Sequence, residues 1–426
     1  MKLGQGRVKH YPILEGIVTL YLMLRLGLLG KTNTGKTTFF NAATMLSGRV
    51  STYPFTTKKP NVGAAFVQTV CACREMRVKD NPVNSRCVSG WRMTPVELID
   101  LPGLIKGAWK GVGLGTQFLN VAGQADALLH IVDASGAIDE EGKITRAGSG
   151  NPILDVYDIE EEIALWIAGI VHKNMRKVLR ALSSPKANLE DVLAKHMVGI
   201  RVKPPHILAA LREADLESKK LTSWKEKDFR SFAREVRKIS KPTIIIANKM
   251  DVAQAEKNLE RLIREFKDSI VIPCCAEAEL ALKRAEQKGL VEYTPGNESF
   301  KVLRGVELTK DQLWALNYVQ ERELSKWMQT GVQFALNTCV FKLMGMNTVY
   351  PVENEARLSD KKGNVLPDVF LVDSTATVRD LARSIHTDLA KTLIHAIDVR
   401  TGIALPAEYI LKDRDIVKLI SATRGK

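Results

Sequence analysis

The sequence predicts an α/β domain that is interrupted by a helical block and followed by a small α+β module. Three observations predict this organisation: a glycine-rich loop between a strand and a helix, later apolar strands that end in polar motifs, and short strands beyond residue 331. The chain has 426 residues, of which 45% are hydrophobic and 26% are charged. This length and composition are typical of a folded protein with two to three domains.

The first 22 residues differ from the sequence that follows them. Three basic side chains precede an apolar stretch, as in a weak signal sequence, but no Ala-x-Ala cleavage site follows. The uninterrupted apolar run 17–24 is too short to span a membrane. We therefore expect residues 1–22 to be a dispensable extension, and we hypothesise that translation begins at Met23.

A glycine-rich loop, residues 30–37, separates the apolar run 24–29 from a predicted helix. This is the context of a phosphate-binding P-loop, whose backbone N–H groups and following helix N-terminus face the phosphates. Lys36 would reach the outer phosphates, and the Thr37 hydroxyl would hold Mg²⁺. Taken alone, the motif also fits a chance glycine-rich turn. The predicted nucleotide-binding residues here are Gly30, Lys31, Thr32, Asn33, Thr34, Gly35, Lys36, Thr37 and Thr38.

Two further loops are predicted to respond to the terminal phosphate. Residues 51–57 contain hydroxyl side chains and a proline, and a threonine in such a loop can complete the Mg²⁺ shell. The strand predicted at 61–70 follows this loop. The apolar strand 96–100 ends in Asp100 and is followed by Gly103. This pattern predicts a second group of residues that contacts the Mg²⁺ ion and the γ-phosphate.

Six cysteines without even spacing do not suggest a disulfide framework, and a reducing cytoplasm fits them best. Cys71, Cys73 and Cys87, with Asp80 between them, form an incomplete and loosely spaced set of metal ligands. We expect ordinary buried or loop cysteines here, and no metal.

A helical block is predicted between the strand at 127–132 and the strand at 243–247. Asp158 stands three residues before Glu161 in a pattern like a capping box, so a helix is expected to start there. Further helices are expected at 206–218 and 227–239. Residues 171–240 hold 17 Lys and Arg against 8 Asp and Glu, which is +9 of the total charge of +14. Charge alone fits an RNA partner and a solubilising surface equally well.

The strand at 243–247 leads into Asn248, Lys249 and Asp251. A carboxylate at Asp251 can accept hydrogen bonds from the N1–H and the N2 amino group of guanine, whereas adenine has no such donor pair. Asn248 and Lys249 would brace the loop and cover the base. The strand predicted at 269–274 leads into Cys275 and Ala276, the expected last wall of the base pocket.

The remaining sequence predicts a helix at 310–328 and then the small module. Strands are expected at 338–343 and 368–372, followed by a helix that Thr377 caps and that runs to about residue 390. About 85 residues of strands around one helix suggest an α+β fold.

Taken as a set, residues 30–37, 53–61, 100–103, 113–115 and 248–251, with the closing module, resemble the Obg-related YchF family of GTPases in its archaeal branch. The resemblance covers nearly the whole chain from Met23. It implies a Rossmann-like P-loop GTPase domain at 23–335 with a helical insertion at about 151–240. It also implies a ubiquitin-like β-grasp (TGS) domain at 336–424.

The resemblance also implies residue roles. Leu104 stands where many switch GTPases place a water-orienting Gln, so slow intrinsic hydrolysis is expected. Asn33 lies where potassium-activated relatives coordinate K⁺, and a K⁺ site is a hypothesis. The base-pocket Ser-Ala of the family corresponds to Cys275-Ala276. The expected catalytic residues are Lys36, Thr57, Asp100 and Gly103, and the expected Mg²⁺ ligands are Thr37, Thr57 and Asp100.

The expected function is that of a cytoplasmic GTP-hydrolysing switch that binds GTP and GDP and has no membrane association. Its ribosome or RNA partner would bind the basic insertion and the TGS domain. Many relatives lack the base-reading Asp and are ATPases. Asp251 favours GTP as the substrate here, and ATP stays the alternative because Cys275 replaces the Ser of the family. The alternatives are an ATPase that regulates stress responses and an RNA-binding module in which the nucleotide is only structural.

Overall fold

The computed structural model describes residues 23–46, 60–104, 107–110 and 115–422. Thr57, the loop around it, Gly113 and the N-terminal segment 1–22 lie outside the described residues. What the sequence predicts for them stays a prediction.

The N-terminal part of the chain folds around a seven-stranded mixed sheet. Its strands are β1 (Arg25–Leu29), β2 (Asn61–Val70), β3 (Arg86–Val88), β4 (Trp91–Asp100), β5 (Ala127–Asp133), β6 (Thr243–Asn248) and β7 (Val271–Pro273). The order is β2-β4-β1-β5-β6-β7, with β3 also on β4. Strands β4, β1, β5, β6 and β7 are parallel, and β2 and β3 run antiparallel to β4. The carboxyl ends of β1, β4 and β6 therefore meet at one edge, where the predicted motifs follow.

Helices cover both faces of this sheet. The helices of this part of the chain are α1 (Lys36–Thr44), α2 (Ala72–Met76), α3 (Gly115–Gly123), α4 (Pro152–Leu182), α5 (Leu189–Met197), α6 (Pro204–Glu213), α7 (Glu226–Ser240), α8 (Ala255–Glu265), α9 (Ala276–Gln287), α10 (Lys310–Val319), α11 (Ser325–Trp327) and α12 (Val332–Asn337). On one face, α1, α9 and α12 share a core with the strands, and on the other face α4 to α7 form a second core with α3. The parallel strands are apolar because they are buried on both faces.

The helical block differs in detail from the prediction. Helix α4 begins at Pro152, capped by Asn151, and not at Asp158. Its cap is the Asn–Pro pair because asparagine favours N-cap positions and proline favours the first helical turn. The prediction missed α5, and α6 begins at Pro204, two residues before the predicted start at 206. The predicted helix at 310–328 consists of α10, a π-helical turn at Gln320–Leu324 and α11.

The strand predicted at 338–343 is wrong, because Thr338–Leu343 continues α12 as a π-helical segment. Val332, Leu336, Cys339 and Val340 share the spacing of one helix face, and all of them are buried in the core of the large sheet. Packing of that face against the sheet outweighs the local preference of β-branched residues for strands.

A five-stranded sheet closes the chain, with the order β11-β10-β14-β12-β13. Its strands are β10 (Met346–Val352), β11 (Phe370–Asp373), β12 (Leu393–Asp398), β13 (Ala404–Pro406) and β14 (Ile416–Ser421). Two short strands that precede them, β8 (Val291–Glu292) and β9 (Lys301–Val302), pair with each other in a separate sheet. The predicted Thr377 cap is confirmed, since a capping box with Asp380 starts α13 (Val378–Ile385), and α14 (Thr387–Thr392) follows. Helix α13 packs into the apolar core of the sheet. This is the β-grasp arrangement.

No helix within the described residues combines the length and the apolar character that a membrane crossing requires.

Candidate functional site

The glycine-rich loop joins β1 to α1 at the carboxyl edge of the large sheet. Gly30 and Gly35 have φ angles of 144° and 97°, values that side-chain-bearing residues rarely adopt. Asn33 has a φ of 64°, and its Nδ2 donates to the Gly142 carbonyl at 2.9 Å. Thr38 lies in the first turn of α1. The loop thus wraps the N-terminus of α1, the arrangement that binds phosphate.

Lys36 and Thr37 open α1 and meet the end of β4. The Thr37 hydroxyl donates to Asp100 Oδ2 at 2.8 Å, and Lys36 Nζ donates to the Lys31 carbonyl at 2.5 Å. Burial lowers the pKa of Lys36 to about 8, and the negative charge of Asp100 opposes that shift. Burial likewise raises the pKa of Asp100, against the effects of Thr37 and Lys36.

This donor set fits a hard divalent cation. Thr37 and Asp100 offer a hydroxyl and a carboxylate, the oxygen ligands that Mg²⁺ prefers. Asp100 is 1% exposed, and its Oδ1 has no hydrogen-bond partner among the described residues. Asn61 Nδ2 holds the other oxygen, Oδ2, at 3.1 Å, a role that sequence reasoning did not assign.

Gly103 and Leu104 bring the loop after β4 against the P-loop. A Cβ at Gly103 would lie 2.7 Å from the backbone N and Cα of Thr32, so only glycine fits there. The Leu104 amide donates to the Gly30 carbonyl at 3.1 Å, and its side chain is buried in the helical core. Leu104 therefore presents no polar side chain to a water molecule.

Asn248 connects the phosphate loop to the predicted base pocket. Its Nδ2 donates to the Thr34 carbonyl at 2.9 Å, and its Oδ1 accepts from the Ala276 amide at 3.1 Å. A Cβ at Gly35 would collide with the Asn248 amide nitrogen. One buried side chain thus holds together two loops that are more than 200 residues apart in sequence.

Lys249 and Asp251 continue this loop. Lys249 has a left-handed φ of 66°, and its Nζ pairs with the fully buried Asp133 at 2.8 Å. Asp251 accepts from the Cys275 thiol at 3.3 Å through Oδ1, and its carbonyl accepts from the Tyr318 hydroxyl at 3.2 Å. Sequence reasoning missed Asp133, although its place at the end of β5 matches that of Asp100 on β4.

A second carboxyl group lies beside Asp251. Glu323, on the π-helical turn, is 1% exposed, and its Oε1 has no hydrogen-bond partner among the described residues. Burial and the negative charge of Asp251 raise the pKa of Glu323 to about 8, and Lys326 opposes that shift. No local motif marks this residue, so sequence reasoning could not find it.

Lys31 contributes to the P-loop through its backbone, while its side chain points elsewhere. Its Nζ lies 2.8 Å from Asp155 and 2.9 Å from Asp158, both on α4. Burial lowers the pKa of Lys31, but its bonds to the two carboxylates outweigh burial, and the net shift is upward. Asp158, the predicted helix cap, is therefore a partner of the P-loop.

The same helix also holds the loop after β4. Glu162 accepts from the amides of Gly107 and Trp109 at 2.7 Å and 3.0 Å, and it is 5% exposed. A carboxylate with two amide donors fixes the backbone locally. Helix α4 thus contacts both the P-loop and the loop that is predicted to respond to the terminal phosphate.

The P-loop lies at the carboxyl edge of the sheet, beside a strand-end Asp and an Asn-Lys-x-Asp loop. This combination defines a P-loop nucleoside triphosphatase. Family models match three parts of the chain. Residues 25–158 match "50S ribosome-binding GTPase", 246–354 match "Obg-like GTPase YGR210-like, G4 motif-containing domain", and 361–421 match the TGS domain.

Relatives agree with these matches. A GTP-binding protein of Methanocaldococcus jannaschii is 44% identical, over 94% of this chain and 100% of its own length. A ribosome-binding ATPase YchF of Bacillus subtilis is 31% identical over 63% of this chain and 70% of its own. The crystal structure of a GTP-binding protein from Pyrococcus horikoshii OT3 has a TM-score of 0.75 at 35% identity, and covers 94% of this chain and 100% of that one. The chain belongs to the YchF/Obg-type family of GTP-binding P-loop GTPases with a TGS domain.

Proposed function

We propose that this chain is a GTP-hydrolysing switch whose specificity comes from Asp251 and whose partner is the ribosome. The observation that supports this best is the side chain of Asn248, which joins the phosphate loop to the base loop through bonds of 2.9 Å and 3.1 Å. Nucleotide that engages one loop is therefore aligned with the other.

The residues have distinct roles in the proposed reaction, the attack of water on the γ-phosphate. Lys36 would place its ammonium group on the outer phosphates, and the close approach of Gly103 to Thr32 would bring the Gly103 amide towards the γ-phosphate. Thr37, Asp100 and Thr57 would hold Mg²⁺, which neutralises charge on the phosphate oxygens when it is bound. The buried side chain of Leu104 supports slow intrinsic turnover.

We also propose that K⁺ binds beside Asn33, where it would supply the positive charge that an arginine finger brings elsewhere. Turnover should then be faster in K⁺ buffer than in Na⁺ buffer of equal ionic strength. Equal turnover in the two buffers would remove this part of the proposal.

The first experiment is a fluorescence titration of the full chain with labelled GTP, GDP and ATP in the presence of Mg²⁺. Wild type should prefer guanine nucleotides, and Asp251→Asn should lose that preference by about a hundredfold, because a paired hydrogen-bond acceptor is lost. Glu260→Gln, which neutralises an exposed acid on α8, is the control and should behave as wild type. Comparable ATP and GTP binding by wild type would favour the ATPase alternative.

The ribosome proposal is supported by a basic face on α4. Lys173, Arg176, Lys177 and Arg180 follow the spacing of one helix face, and all four are exposed. None of them pairs with an acidic side chain among the described residues. The printed names of the family model and of the B. subtilis relative, which refer to ribosome binding, support the same partner, and a cytoplasmic location would follow.

Co-sedimentation with purified ribosomal subunits tests this proposal. Lys173→Glu combined with Lys177→Glu should weaken binding at least tenfold and reduce its salt dependence, because phosphate contacts are lost. Lys257→Glu combined with Lys288→Glu makes the same charge change on exposed residues elsewhere and should have little effect. Equal weakening by both pairs would show a dependence on net charge alone. If the chain is instead an RNA-binding module in which the nucleotide is only structural, the Lys36→Ala variant should still bind ribosomal subunits, whether or not nucleotide is present.

A further inference from the structure

Three cysteines converge where β2 ends and β3 begins. Cys71 follows β2 and caps α2, Cys73 lies in the first turn of α2, and Cys87 lies in the middle of β3. Strand β3 returns along β4, with Cys87 opposite Arg92, and this brings Cys87 back to the start of α2. Asp80, in the connecting loop, completes the group. The sequence spacing alone did not suggest a site here, because the hairpin supplies the proximity.

The distances match tetrahedral coordination. The Sγ atoms of Cys73 and Cys87 are 3.7 Å apart, and Cys71 Sγ lies 3.2 Å from Asp80 Oδ2. One ligand atom from each of the four residues lies within 4.8 Å of all the others. Two thiolates on one tetrahedral zinc, each at about 2.3 Å, stand about 3.8 Å apart. The Cys73–Cys87 separation is close to that value without any rearrangement.

The surroundings of the four residues orient them and offset their charge. Arg92 is fully buried, and its Nη2 donates to Asp80 Oδ2 at 3.1 Å and to the Leu366 carbonyl at 3.0 Å. The Cys73 amide donates to Cys71 Sγ at 3.5 Å. Hydrogen bonds of this kind fix the direction of metal ligands, and a guanidinium group reduces the excess negative charge of three thiolates and a carboxylate around one divalent ion.

We propose that Cys71, Cys73, Asp80 and Cys87 bind one zinc ion that stiffens the segment of the GTPase domain docked against the TGS domain. Four protein ligands leave no open coordination position, so the site is structural rather than catalytic. Cys71 and Cys73 share an apolar cluster with Tyr350, from the sheet of the TGS domain.

Hydrogen bonds extend this contact beyond the four ligands. The Val83 amide donates to the Pro367 carbonyl at 2.6 Å, and Asn84 bonds to the backbone of Val369 in both directions, at 2.9 Å and 3.0 Å. The ligands thus lie on a segment that is docked against the second domain along its length. Zinc would link the two ends of this segment and make it rigid.

Metal analysis of the full chain tests the proposal. Protein produced with zinc in the medium should contain about one zinc per chain by plasma mass spectrometry, and Cys73→Ser or Cys87→Ser should lose most of it. Cys339→Ala removes a buried thiol from the core of the large sheet and should keep the zinc. Asp80→Cys, which supplies a fourth thiolate, should also keep it.

Two further measurements keep the test decisive if a serine variant does not fold. Wild type loaded with Co²⁺ should show thiolate-to-metal charge-transfer absorption, and Asp80→Cys should strengthen that absorption. Chelation of zinc should increase amide hydrogen exchange at 71–92 while GDP binding is retained. The proposal is overturned if wild-type protein stays metal-free after zinc reconstitution, if Co²⁺ gives no such absorption, or if a Cys73–Cys87 disulfide forms instead.

Discussion

The two ends of the nucleotide site differ in how their charges are arranged. At the phosphate end, Lys36 lies near Asp100, and Lys31 pairs with two carboxylates of α4. At the base end, Asp251 and Glu323 are neighbours, and neither forms an ion pair with a described residue. Phosphates bring negative charge and require cations already held in place, whereas guanine brings N–H donors and requires acceptors. With the roles proposed for these residues, binding strength and base choice would be determined at separate ends of the site.

Replacing Lys36 should produce the largest effect at the phosphate end. Lys36→Ala removes the ammonium group that is proposed to meet the developing charge, so GTP turnover should fall on the order of 10³-fold. The preference for guanine over adenine should survive in whatever binding remains. Steady-state phosphate release and competition between GDP and ADP measure the two properties, with the exposed lysine variant Lys257→Ala as control. Loss of base preference in Lys36→Ala would contradict the separation of the two ends.

Lys31→Met should affect stability more than chemistry. The substitution leaves the carboxylate of Asp155 buried without its cation. Breaking a buried ion pair in this way should lower the free energy of unfolding by about 3 kcal/mol. We expect this lower end of the range because the second carboxylate, Asp158, is partly exposed. Denaturant unfolding measures this against Lys257→Met. GDP affinity should change much less than in Lys36→Ala, because the backbone of Lys31 stays in the loop. Equal stability of Lys31→Met and its control would mean that the ion pair does not stabilise the fold.

Glu323→Gln should produce the smallest effect, and that effect should depend on pH. The pKa of Glu323 is about 8 in the folded chain, above its ordinary value of 4.5, so the folded state binds the proton more tightly than the unfolded state. Its contribution to stability is therefore present below pH 4.5 and is lost as the pH rises towards 8.

Between pH 6 and pH 8 the wild type should lose roughly 2 kcal/mol of unfolding free energy through this group. Glu323→Gln should lack that loss. Thermal or denaturant unfolding of both proteins at the two pH values provides the measurement, and Glu260→Gln is the control with an exposed carboxyl group. Parallel pH curves for wild type and Glu323→Gln would contradict the assignment.

The sequence predicted best those features whose residues are close together along the chain. The P-loop, the strand-end Asp100 and the loop from Asn248 to Asp251 were visible because each follows a parallel strand, and parallel strands end at one edge. The pairing of Lys31 with Asp155 was not predictable, because the two residues are 124 positions apart and no local pattern joins them. The same holds for Glu162 and the Gly107 amide.

Two errors came from reading local patterns without their tertiary setting. Asp158 matched a capping box, but Asn151 and Pro152 start the helix earlier, and the Asp158 carboxylate bonds to Lys31. The stretch 338–343 has β-branched residues, but the apolar spacing that begins at Val332 continues through it as one buried helix face. Local preferences of this kind are weak compared with the burial of a whole face.

Helix α4 has a mechanical consequence, because it is a single rod of 31 residues. Near one end it touches the P-loop and the loop after β4, and near the other end it carries the exposed basic residues. Asp155 and Arg180 are about 38 Å apart along such a rod, so a rotation of about 3° at the nucleotide end moves the far end by about 2 Å. If α4 turns as one body, it would act as a lever, and small displacements at the phosphates would become larger ones at a distant surface.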